Sequence, residues 1–207
     1  MRALYRGRVR VAVLVSGSGT ILDAMLRRGV PVALVLSDRP CAGLEVAARN
    51  NVEAALVDRR DFGGFGGDFD RRAYTVVLTE TLRAAEVDLV AMAGFGTVVD
   101  QPLHDAFGGR ILNTHPALLP AFPGWHAVEA ALEAGVKVTG CTVHLATLEM
   151  DAGPILAQET VPVRDNDTVA TLHERIKTVE RRLYPETVLK MLNELATTGD
   201  AGAKDDR

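Results

Sequence analysis

Residues 9–15, Val-Arg-Val-Ala-Val-Leu-Val, are apolar at all but one position and stop at Ser16-Gly17-Ser18-Gly19-Thr20. A run this short and this apolar fits a strand covered on both faces, and it is too short to cross a bilayer. Directly after the turn, Ile21, Leu22, Met25 and Leu26 recur at helical spacing. A buried strand, a glycine-rich turn and an amphipathic helix in succession predict a parallel sheet with crossover helices, because parallel neighbours cannot be joined by a hairpin.

The alternation continues. Residues 32–36 predict a second strand, 43–50 a helix and 52–57 a short third strand. Residues 58–69, rich in Gly, Asp and Phe, predict a mobile loop around Gly63-Gly64-Phe65-Gly66-Gly67. Residues 71–85 predict a helix and 87–93 a central strand broken by Gly94-Phe95-Gly96. A short helix at 100–107 leads to the apolar run that starts at Arg110, and residues 127–134 predict another helix. The character then changes. Residues 138–145 and 155–163 predict two strands of a more antiparallel region. Asp165-Asn166-Asp167-Thr168 predicts a turn and N-cap for a long helix carrying Val169, Leu172, Ile176, Val179 and Leu183. Pro185 predicts a break or kink there. The fold class is α/β: a Rossmann-like, mostly parallel sheet flanked by helices, completed by a mixed or antiparallel C-terminal portion. One domain is expected over 1–195, with a phosphate-binding half at 8–108 and a catalytic half at 109–195; 196–207 reads as a flexible tail.

With 47% apolar and 24% charged residues, the 207-residue chain is composed like a globular domain, and its net charge of −4 predicts neither nucleic acid nor a membrane surface as partner. Two cysteines, Cys41 and Cys141, read as reduced thiols of a cytoplasmic protein. The five histidines show no paired spacing, so no metal is expected. The nucleophile elbow of a serine hydrolase is missing too.

The chemistry concentrates in Ile111-Leu112-Asn113-Thr114-His115-Pro116-Ala117-Leu118-Leu119-Pro120. Asn113 and His115 stand two apart, so an extended backbone puts both side chains on one face. An amide can donate to a developing oxyanion, and an imidazole can donate or shuttle a proton near neutral pH. Asp151, in Glu149-Met150-Asp151-Ala152-Gly153-Pro154, is a carboxylate able to orient His115. His144 closes Gly140-Cys141-Thr142-Val143-His144 and reads as structural support. The turn Gly17, Ser18, Gly19, Thr20 and Ile21 presents backbone N–H groups at a helix start, where a phosphate fits. It lacks the full dinucleotide fingerprint and the Walker lysine, so neither NAD nor ATP is favoured. Together these groups suggest group transfer involving a phosphorylated substrate.

Residues 113–120, 140–144 and 151–155 resemble the formyltransferase superfamily, and His173 to Glu180 with Tyr184-Pro185 resemble its phosphoribosylglycinamide formyltransferase family. The resemblance implies that Asn113, His115 and Asp151 are catalytic, that Gly17 to Ile21 and Glu180 bind glycinamide ribonucleotide, and that Arg71, Phe95, Gly96, Thr97, Val98, Val99, Asn113 and Met150 line a folate pocket. It implies formyl transfer from 10-formyltetrahydrofolate to the glycinamide amine, without metal, in purine synthesis. Partners would be these two small molecules, with a homodimer as one option. Alternatives are a formyltetrahydrofolate hydrolase, methionyl-tRNA or sugar-nucleotide formyltransferases, and a non-catalytic folate- or nucleotide-binding module. The chain departs from the family pattern at Ile21, where many relatives carry Asn, and at Gly96-Thr97-Val98-Val99, where many carry Met-Arg-Ile-Leu.

Overall fold

A computed structural model describes residues 9–202 and, for side chains, residues 9–197. Seven strands form one sheet in the order β3-β2-β1-β4-β5-β6-β7. The strands are β1 (Val11–Val15), β2 (Val32–Ser37), β3 (Glu53–Leu56), β4 (Leu89–Met92), β5 (Ile111–His115), β6 (Val138–Leu145) and β7 (Ile155–Pro162). The helices are α1 (Thr20–Arg27), α2 (Ala42–Arg49), α3 (Arg71–Ala84), α4 (Gln101–Phe107), α5 (Ala127–Glu133) and α6 (Val169–Gly202). The first five strands run parallel. Direction reverses at β6, which pairs antiparallel with both β5 and β7.

Every residue of β1 is buried, and its alternation divides the core in two. Val11, Val13 and Val15 face Leu22 and Met25 of α1 and Tyr184, Val188 and Leu192 of α6. Ala12 and Leu14 face Tyr74, Leu78 and Leu82 of α3 and Leu103 of α4. The near-continuous apolar character of residues 9–15 is thus the signature of a strand sandwiched between two helical layers.

Two expectations change. The 58–69 segment is not a bare loop: Arg59–Phe62 form a 3-10 turn capped by Asp58, whose carboxylate accepts from Arg60 N–H. The Arg59 guanidinium stacks 3.8 Å from the centre of the Phe69 ring and donates to the Gly64 carbonyl at 2.7 Å. Aromatic and cationic side chains therefore organise a stretch whose glycines predict freedom. Pro185 neither breaks nor ends α6, which runs through it to Gly202. Tyr184, Val188 and Leu192, buried on either side of the proline, anchor the helix to the sheet, and the Tyr184 hydroxyl donates to the Leu112 carbonyl at 2.8 Å. Tertiary packing outweighs the one missing N–H. The segment 196–207 expected as a tail begins within α6, which runs to Gly202, and 203–207 lie outside the described residues.

Candidate active site

The ends of β1, β4 and β5 open into one cavity of about 530 Å³. Register explains why. Leu14 of β1 is level with Met92 of β4, and Met92 with Asn113 of β5, while β5 runs two residues further to His115. Across the antiparallel ladder Asn113 faces His144 directly.

Asn113, His115, His144 and Asp151 form one cluster on this wall. The Asn113 Nδ2 lies 3.4 Å from His144 Nε2. His144 Nδ1 donates to the Leu145 carbonyl at 3.0 Å, and its Nε2 stands between the Asn113 amide and the Asp151 carboxylate. His115 Nδ1 lies 3.3 Å from Asp151 Oδ2, and His144 Nε2 lies 3.6 Å from Asp151 Oδ1. The Asp151 carboxylate also accepts from Gly124 N–H at 2.8 Å. Burial alone would raise the Asp151 carboxyl, but hydrogen bonds from His144 and Gly124 and the two imidazoles hold it below the usual carboxylate range. Asp151 sits at φ 57, a left-handed conformation that costs a non-glycine residue about 1 kcal/mol. Gly153 makes that turn possible, because a Cβ there would meet the Leu145 carbonyl oxygen at 1.8 Å.

His115 has a second partner that the sequence does not foretell. Its Nε2 donates to the Phe122 carbonyl at 2.7 Å, in a loop that turns back at Phe122 (φ 54). Both ring nitrogens face acceptors, so both are satisfied together only when each carries a hydrogen. The loop is tied to β6 and β7: Thr142 Oγ1 donates to Ala117 O at 2.6 Å, and Gln158 Nε2 donates to Leu119 O at 2.8 Å.

Opposite stands the turn after β1. The first intrahelical bond of α1 runs from Asp23 N–H to Gly19 O, so the N–H groups of Thr20, Ile21 and Leu22 have no partner within the helix. Gly19 adopts φ 71, and a Cβ on it would lie 2.7 Å from the Cα of Gly43. Two backbones touch there, reinforced by Gly43 N–H donating to Gly17 O at 2.9 Å. The Ile21 side chain is buried in the core.

Glu180 and Lys177 of α6 line the same cavity. Burial pushes the Glu180 carboxyl up to about 7, against a hydrogen bond from Thr114 and the charges of Lys177 and Arg181. Gly17, Ser18, Gly19, Thr20, Phe95, Gly96, Thr97, Val98, Val99 and Met150 also contribute to the cavity wall. Arg71 does not: it is exposed at the first residue of α3, away from the lining. The cavity wall also includes His173 and Lys177, which lie in the motif from His173 to Glu180 but are given no role by it, Leu148 in the loop before Asp151, and Trp125. Lys177 was findable, since it stands three residues before Glu180 on one helical face. Trp125 was not, because a loop brings it in. Among the described residues no group of three or more His, Cys, Asp or Glu could hold a metal ion, and no helix is long and apolar enough to cross a membrane.

Comparison with known proteins adds the decisive observation: the family described as formyl transferase matches residues 9–188. The chain belongs to the formyltransferase family. A phosphoribosylglycinamide formyltransferase of Mycobacterium tuberculosis is 48% identical over 184 residues, covering 86% of this chain and 83% of that protein. One from Bacillus subtilis is 35% identical over 190 residues, covering 88% and 94%. The crystal structure of glycinamide ribonucleotide transformylase 1 from Symbiobacterium toebii superposes with a TM-score of 0.85 at 46% identity, over 93% of this chain and 92% of that one. Within the formyltransferase family, the chain is an enzyme of formyl transfer to phosphoribosylglycinamide, a step of purine biosynthesis.

Proposed function

We propose that the cavity binds glycinamide ribonucleotide against the turn at 17–21 and α6, binds 10-formyltetrahydrofolate against the segment at 95–99, and joins them at Asn113. The observation that carries this reading is the placement of an amide, two imidazoles and a buried carboxylate on the wall facing a backbone-built anion site, within one cavity. The N–H groups of Thr20, Ile21 and Leu22 and the Lys177 ammonium supply donors and charge for the phosphate. The formyl-folate supplies the carbon to be transferred. The cavity volume lies in the range of small-molecule sites, and its lining combines apolar Val98, Val99 and Met150 with exposed backbone, as a flat heterocycle requires.

The amine nitrogen attacks the formyl carbon, a C–N bond forms and the carbonyl oxygen becomes an oxyanion. Asn113 donates an Nδ2 hydrogen to it, with the amide placed beside His144 Nε2. An oxyanion reaching His115 can replace the Phe122 carbonyl as the acceptor of its Nε2 hydrogen. Asp151 keeps the ring oriented and balances its charge. The amine then gives up a proton to this pair. The proton passes to the departing folate nitrogen as its bond to the formyl carbon breaks, so the enzyme ends unchanged.

The test is formation of formylglycinamide ribonucleotide from the two substrates. Asn113→Ala is expected to lower kcat by about 10²- to 10³-fold while unfolding at nearly the wild-type temperature. Donor breakdown without acceptor in the wild type, or an Asn113→Ala enzyme of unchanged kcat, would refute the assignment.

A further inference from the structure

Outside the cavity, at the end of β2, Asp38 is fully buried. A buried carboxylate is costly unless hydrogen-bonded, and the identity of its donors shows what it holds. Arg39 Nε and Nη2 each donate to it at 2.9 Å. Thr97 Oγ1 donates to Oδ2 at 2.7 Å. Ser16 also acts to lower the Asp38 carboxyl, and its Oγ accepts from Gly96 N–H at 2.6 Å. The main chain of Asp38 is used as well, its carbonyl accepting from Arg59 N–H at 2.9 Å, while Arg59 Nη1 donates to Thr97 Oγ1 at 3.3 Å. Burial would raise the Asp38 carboxyl, but Arg39, Thr97 and Ser16 outweigh it and hold the group below the usual carboxylate range.

These donors share a property that a merely satisfied core group would not need. Ser16 immediately precedes the turn at 17–21, and Gly96 and Thr97, which also line the cavity, follow β4, the sheet neighbour of β1. Arg39 closes the remaining space: its Nη2 lies 3.1 Å from where a Cβ on residue 96 would stand. Asp38 itself does not line the cavity. We propose that Asp38 is a positioning residue for both substrates, a buried strut that fixes the phosphate-binding turn against the folate-binding segment so that neither wall shifts alone. The inference rests on the functional reading above.

The test uses cross-wall effects. Glycinamide ribonucleotide and 10-formyltetrahydrofolate are titrated separately by calorimetry into wild type, Asp38→Asn, Ser16→Ala and Thr97→Val, with thermal unfolding as the check on folding. Asp38→Asn is expected to weaken both ligands roughly five- to tenfold, a part of the worth of a charge-assisted hydrogen bond, with kcat at saturation within about twofold. Thr97→Val must also weaken the ribonucleotide, and Ser16→Ala the folate, although neither touches that ligand. Where Asp38→Asn does not fold, these two variants decide the matter. A folded Asp38→Asn enzyme with wild-type affinities, or single variants that affect only their own wall, would overturn the strut while leaving the functional reading intact. Wild-type protein that binds neither ligand would overturn both.

Discussion

Glu180→Gln separates the stability cost of the cavity from its chemistry. The wild-type carboxyl holds its proton more tightly folded, at about 7, than its ordinary value of 4.5. Between those values the folded chain carries the extra proton, so stability falls as pH rises through the window and the loss is complete above 7. At roughly 1.4 kcal/mol per unit the displacement corresponds to about 3 kcal/mol. The amide of the Glu180→Gln variant keeps an oxygen to accept from Thr114 and carries no charge to bury. Urea unfolding at about pH 5 and about pH 8 should therefore give the variant a smaller loss of stability than wild type, by about 2–3 kcal/mol, or roughly 4–12 °C in Tm. Asp151 and Asp38, both depressed, titrate below this window and act equally on the two proteins. Parallel stability curves for variant and wild type across the window would refute the claim that burial governs Glu180.

Two further substitutions test the supports of the site. Gly19→Ala places a Cβ in a left-handed residue against the Gly43 backbone, so a loss of about 2 kcal/mol or more in urea unfolding is expected, with a raised KM for the ribonucleotide; an unchanged midpoint would contradict the close contact. Tyr184→Phe removes the hydroxyl that satisfies the Leu112 carbonyl, and a loss of about 1–2 kcal/mol with little change in kcat is expected; a kcat collapse at full stability would show that the tyrosine does more than anchor α6 to β5.

What was legible in the sequence is what repeats. The apolar runs at β1, β2 and β4 bury both faces and so announce a parallel sheet, and the change at β6 is marked by two strands with no intervening helix. Asn113 and His115 were readable as a pair because strand geometry forces residues two apart onto one face. Less was readable wherever a loop decides. No local pattern places the Phe122 carbonyl on His115, or the Arg59 guanidinium on Phe69 across ten residues of glycine-rich chain. The expected kink at Pro185 is a different matter. Local propensity is correctly unfavourable there, and the buried side chains on both sides overrule it.

The contact between Gly19 and Gly43 bears on how such a chain tolerates drift. The donors that α1 leaves open at Thr20, Ile21 and Leu22 belong to peptide units, so every sequence that keeps the turn inherits them. Selection at this end of the cavity acts on shape, through two glycines that let backbones touch, while side chains such as Ile21 are free to be recruited by the core. A lineage can exchange a polar residue for an aliphatic one there and alter its packing without removing those backbone donors.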